Sequence, residues 1–96
     1  MILHLINRAP QHPAVYQALA ESFSKGDHVL LIEDACYAAL PGRQDVLAPF
    51  AGAVSALEED LVSRGLRKRV GDSLEVVDMA GFVSLTELYS RSLSWF

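Results

Sequence analysis

The sequence has one cysteine, no long apolar run, no basic excess and no glycine-rich phosphate loop, and each scarcity closes off a class of function. A single cysteine in 96 residues cannot form an intrachain disulfide. No run approaches the roughly 18 apolar residues of a membrane span. No charged segment leads into an apolar core with a small-residue cleavage site, so the expected compartment is the cytoplasm, with no membrane partner. A net charge of -4, from 12 acidic and 8 basic residues, argues against binding bare nucleic acid through the overall field, although it leaves room for a local basic patch. Asn7-Arg8-Ala9-Pro10, after the first apolar segment, fits neither the dinucleotide nor the Walker pattern. A nucleotide-binding fold therefore loses its main support, and no cofactor is expected. His4, His12 and His28 lack metal-ligand spacing, and one cysteine cannot complete a common zinc set. His4 reads as a satisfied core or strand-end histidine, and no metal is expected.

What is present is apolar. Hydrophobic residues make up 51% of the chain, enough for a core in one domain spanning 1–96, with apolar surface left over. Such surplus in a small fold marks an interface, and an oligomer is expected. Ile2–Ile6 reads as a first strand. Val15, Leu19 and Phe23 recur at helical spacing from Pro13 to about Ser24, and Lys25-Gly26-Asp27 stops that helix. Val29-Leu30-Leu31-Ile32, an unbroken apolar run, predicts a strand from His28 to Glu33 covered on both faces. Asp34 is expected to cap a short helical turn over 35–39, ended by Pro41-Gly42. Residues 44–50 suggest one helical turn and a loop. Ala53–Leu57 reads as a third strand, and Glu58–Arg64 as a helix with acids first and a base last, ended by Gly65. Leu74–Asp78 reads as a fourth strand, and Ala80 to about Ser92 as a final helix, followed by the tail Leu93-Ser94-Trp95-Phe96. Strands alternating with helices predict a mostly parallel α/β sheet of about four strands with right-handed crossovers.

Function in such sheets gathers beyond the carboxyl ends of the strands, where Glu33, Asp34 and Cys36 fall. Cys36 is the one weak catalytic candidate. A helix start would favour its thiolate, but Glu33 and Asp34 put negative charge beside it, and a buried, inert thiol explains it as well. Glu33 and Asp34, adjacent on an extended chain, point to opposite faces and do not make an acid–base pair. Arg64, Arg67, Lys68 and Arg69 form the one basic cluster, a candidate contact for an RNA phosphate or an acidic partner, or else a solvated turn. Trp95 and Phe96 close the chain where a polar, frayed tail is usual. They dock either on the chain's own core or on a partner, with Tyr89 of the last helix as a further candidate anchor.

Leu3-His4 with Asn7-Arg8-Ala9-Pro10, then Leu30–Asp34 with Tyr37-Ala38-Ala39, then Ala56-Leu57 with Glu59-Asp60-Leu61 and Arg64-Gly65-Leu66, then Val77-Asp78 with Gly81-Phe82-Val83, Leu85-Thr86 and Trp95, together resemble the TusB/DsrH family across nearly the whole chain. The resemblance implies a small three-layer DsrE-like (Rossmann-like) fold. It also implies a heterohexamer with TusC-like and TusD-like chains, two copies of each. That complex accepts persulfide sulfur from an upstream carrier and passes it to a downstream acceptor, towards 2-thiolation of the tRNA wobble uridine, so tRNA is an indirect partner. In such complexes the essential persulfide cysteine belongs to the TusD-like subunit, which makes this chain a structural and docking subunit with no catalytic residue expected. The DsrH branch carries a cysteine in the first helix. Gln17-Ala18-Leu19-Ala20 has none, so tRNA thiolation is the better reading. A DsrH-like role for Cys36 as sulfur carrier, and a free-standing small-ligand module, are the alternatives.

Overall fold

The computed structural model describes every residue except Ser73. Five strands form one parallel sheet in the order β4-β3-β2-β1-β5. They are β1 (Ile2–Ile6), β2 (His28–Leu31), β3 (Val54–Leu57), β4 (Glu75–Val77) and β5 (Arg91–Trp95). Three α-helices accompany them: α1 (Pro13–Ser22), α2 (Glu58–Ser63) and α3 (Met79–Leu88). Residues Glu33–Ala39 and Gln44–Phe50 are 3₁₀ segments.

The apolar runs explain the sheet. Leu3, Ile6, Val29, Leu30, Leu31 and Ala56 are fully buried, because the central strands β1, β2 and β3 are covered on both faces. On one face Ile6, Val29, Leu31 and Ala56 pack with Tyr16 and Leu19 of α1, Ala35 and Cys36, Leu47 and Phe50, and Leu61 and Leu66. Each large apolar side chain enclosed this way contributes on the order of 1.5–3 kcal/mol. The other face is thinner. Leu3, Leu30 and Val77 meet Phe82, Leu85 and Tyr89 there, and α3 is the only helix among them. No residue of α3 is fully buried.

Local chemistry sets the helix ends. Pro13 opens α1, where its missing N–H costs nothing. Asp78 caps α3, its Oδ1 accepting from the Gly81 N–H at 2.8 Å. Gly65, with φ +68°, ends α2. The Leu66 N–H donates to the Leu61 carbonyl and the Gly65 N–H to that of Val62, a Schellman closure that satisfies the last free carbonyls.

The structure corrects three expectations. The last helix stops at Leu88, and residues 91–95 form a fifth strand beside β1, with Ile2 opposite Arg91 and Ile6 opposite Trp95. Asp34 caps nothing: Ile32 occupies the cap position without a side-chain hydrogen bond, and the 3₁₀ segment starts at Glu33. Residues 44–50 make one continuous 3₁₀ stretch that accommodates Pro49.

Candidate functional site

Cys36 lies beneath the carboxyl ends of β2 and β3. It is fully enclosed, and its Sγ points to the Leu31 carbonyl at 3.7 Å. Burial first, then the negative charge of Asp60, pushes the thiol up to about 12, and Arg64 offsets only part of this. The thiolate is the nucleophilic form, and this arrangement favours the protonated thiol instead.

Above it the chain leaves β2 through Glu33, the one non-glycine residue with positive φ, +50°, among the described residues. Its N–H donates to Asp60 Oδ2 at 2.7 Å, a contact that holds the costly left-handed conformation. Asp34 Oδ1 accepts from Arg64 Nε at 3.1 Å. Glu33 and Asp34 thus serve separate partners.

The four basic residues at 64–69 differ in their surroundings. Arg64 pairs with Asp34 and Arg67 with Glu58, at 3.1 and 3.3 Å. Each exposed pair is worth less than about 1 kcal/mol. Lys68 and Arg69 stay exposed, and Arg69 faces a different cavity with Arg43.

His4 is the hub of the chain's two ends. It is fully buried on β1. The Trp95 indole N–H can only donate, and it reaches His4 Nδ1 at 3.1 Å, so the imidazole proton sits on Nε2 and is donated to Asp27 Oδ2 at 2.9 Å. Asp27 also accepts from the backbone N–H groups of Ile2 and Ser24. Burial raises the Asp27 carboxyl, but these hydrogen bonds outweigh it and hold the group below its ordinary range. Sequence reasoning treated Asp27 as part of a helix stop and missed this role. The available signal was a carboxylate directly before an apolar strand. With both ring nitrogens engaged, His4 has no free lone pair for a metal or a substrate.

A second histidine works on the opposite face. His28 Nε2 lies 2.7 Å from Ser55 Oγ, with the Tyr89 ring centred 6.1 Å away. Burial lowers the His28 pKa, and Glu75 opposes the shift. Ser55 is fully buried, so this pair fastens strands and presents no nucleophile. Among the described residues no group of His, Cys, Asp and Glu could hold a metal ion, and no helix is long and apolar enough to cross a membrane.

Part of the accessible surface is apolar. Met79, Val83 and Leu88 of α3 are 47%, 50% and 68% exposed, and Phe96 is 61% exposed. Trp95, by contrast, packs on the larger core, and Tyr89 is half-buried beside His28. These features define a small parallel α/β domain with an enclosed thiol and an apolar outer face on its last helix. The family model described as DsrH like protein matches residues 8–92, and the chain belongs to that family. It is 34% identical over 96 residues to Protein TusB of Escherichia coli O1:K1, covering 98% of this chain and 100% of that one. Protein TusB of Photorhabdus laumondii is 29% identical over the same spans. The solution NMR structure of protein Tm0979 from Thermotoga maritima shares the fold, with a TM-score of 0.68 at 23% identity over 91% of this chain and 92% of that one. Membership of this family supports a subunit role in sulfur relay.

Proposed function

We propose that this chain is a non-catalytic subunit of a cytoplasmic sulfurtransferase complex that passes persulfide sulfur towards 2-thiolation of the tRNA wobble uridine. The observation that carries the reading is the enclosure of the sole thiol, Cys36, with its raised pKa, in a chain of the DsrH-like family. The sulfur then travels on a cysteine of another chain, and this one docks. Its partners are TusC-like and TusD-like subunits in a heterohexamer. The upstream persulfide carrier, the downstream acceptor and tRNA are met through the complex. Phe96 and the exposed side of α3 supply the anchors, and Tyr89 borders them. Trp95, held by His4, aims the chain end rather than entering the partner. Burying such apolar surface is worth about 25 cal/mol per Å², offset by the cost of association.

The test is the 2-thiouridine content of bulk tRNA, read by nucleoside mass spectrometry, in a host lacking the gene and complemented with wild type or Cys36→Ala. Loss on deletion and rescue by both constructs is the expected result. Rescue by wild type alone, with Cys36→Ala folded and assembled, makes Cys36 a sulfur carrier. No change on deletion removes the tRNA assignment.

A further inference from the structure

A cavity of about 460 Å³ opens beyond the carboxyl ends of β1 and β2, lined by Ala9 and Gln11, by Asp34, Tyr37 and Leu40, and by Arg43 and Arg69. Its volume falls within the roughly 300–1,000 Å³ of small-molecule sites. It lies at the carboxyl-end side of the sheet, where open α/β folds gather their ligand-binding loops, one strand away from the β1–β5 boundary at which the strand order reverses. Three separate segments build it: the loop after β1, the 3₁₀ segment after β2 with the turn that follows it, and the loop after α2.

The charges in this crevice run against the rest of the molecule. The chain carries a net charge of -4, yet two guanidiniums from distant positions face one space. Arg64 and Arg67 are spent on Asp34 and Glu58. Among the described residues, Arg43 and Arg69 make no ion pair and no side-chain hydrogen bond. The single carboxylate in the lining, Asp34, already accepts from Arg64 at 3.1 Å, which leaves the site positive. Asp45 lies in an adjoining groove that shares Gln11 and Arg43, and it forms no ion pair with Arg43 within 4.0 Å. Tyr37 and Gln11 add a hydroxyl and an amide, both able to donate. We infer that this crevice binds a phosphomonoester. Arg43 and Arg69 grip the doubly charged oxyanion, since planar guanidinium forks match phosphate geometry, and the rest of the cavity houses the organic part beside the Tyr37 ring. This site stands apart from the sulfur-relay reading, and a chain with no part in sulfur transfer would bind the ester equally.

Amide-shift NMR titrations of the full chain at constant ionic strength test the inference, with inorganic phosphate and adenosine 5′-monophosphate as the two probes. The expected result is saturable shifts confined to the loops around Gln11, Tyr37, Arg43 and Arg69, with tighter binding of the monophosphate than of free phosphate. Arg43→Gln and Arg69→Gln should each weaken the monophosphate about tenfold, the worth of one charge-assisted contact. Arg91→Gln, an exposed arginine on β5, should change it less than about twofold. Both site variants keep their fold if their spectra stay dispersed, since neither arginine is buried. Shifts that rise linearly without saturating, or equal weakening by Arg91→Gln, would reduce the effect to general charge attraction and overturn the site. Equal affinity for the two probes would overturn the ester and leave only a free-oxyanion site.

Discussion

Replacing Trp95 by phenylalanine removes a hydrogen bond and the smaller ring of the fused pair, which packs on the larger core. The side chain stays aromatic, but the indole N–H that reaches His4 Nδ1 at 3.1 Å is gone. His4 is fully buried, so its acceptor nitrogen is left without a donor, and an orphaned buried polar group costs about 1–3 kcal/mol. Trp95 itself is only partly buried, and water entering from that side recovers some of the loss, which puts the hydrogen-bond part of the cost at about 1–2 kcal/mol. At about 4–8 °C per kcal/mol for a chain of this size, that part alone should lower the midpoint of thermal unfolding by roughly 4–16 °C. Urea unfolding should give the same free energy. A double-mutant cycle separates the hydrogen bond from ring packing. In a His4→Leu background, Trp95→Phe should cost about 1–2 kcal/mol less than in wild type, because the packing loss remains but no acceptor does. Native-state hydrogen exchange should also show the β5 amides opening more readily in Trp95→Phe, since the edge strand loses its side-chain tie to β1. An equal cost in both backgrounds would refute the reasoning and assign the whole effect to ring contacts. A single-mutant cost near zero would mean that the His4 nitrogen finds another partner.

The remaining predictions concern titration and reactivity. Asp27 has a folded-state pKa below its unfolded value, so its contribution to stability is fully present above the ordinary carboxylate pKa of about 3.9 and is lost as pH falls through the lower folded value. Urea midpoints measured from pH 6 down to pH 3 should therefore drop more steeply for wild type than for Asp27→Asn, and parallel curves would sink the assignment. Cys36, enclosed and with its thiol raised to about 12, should resist an aromatic disulfide reagent at pH 8 in the folded chain and react at once in denaturant. Rapid labelling of the folded chain would contradict the geometry.

Much of this fold was legible because its signals are local. Val29-Leu30-Leu31-Ile32 reads as a doubly covered strand from its unbroken apolar run, and β2 ends only one residue short of that run. The Val15, Leu19 and Phe23 spacing announced α1, and Gly65 closed α2 where a left-handed residue was needed. The fifth strand was missed although Leu93 and Trp95 stand two apart among serines, the alternation of a half-covered edge strand. No glycine or proline separates it from α3, and the apolar helical spacing of Phe82, Leu85 and Tyr89 invited the helix to run on. At the candidate site, the residue types at 33–36 drew attention to the end of β2. Only coordinates could reveal that Asp34 serves Arg64 while Asp60 holds Glu33.

Apolar patterning and punctuation by themselves determined that this is an α/β chain with a parallel sheet, which follows from periods of two and 3.6 residues and from residues with restricted φ. The surplus of apolar area follows from composition, and the resemblance to the TusB/DsrH family rests on the particular residues of its matching segments. Tertiary structure alone decided three further things: that residues 91–95 pair with β1, that His4, Asp27 and Trp95 form one buried network, and that Arg43 joins Arg69 across a crevice. Each joins residues at least 23 positions apart, and no local propensity reports a contact whose partner lies elsewhere in the chain.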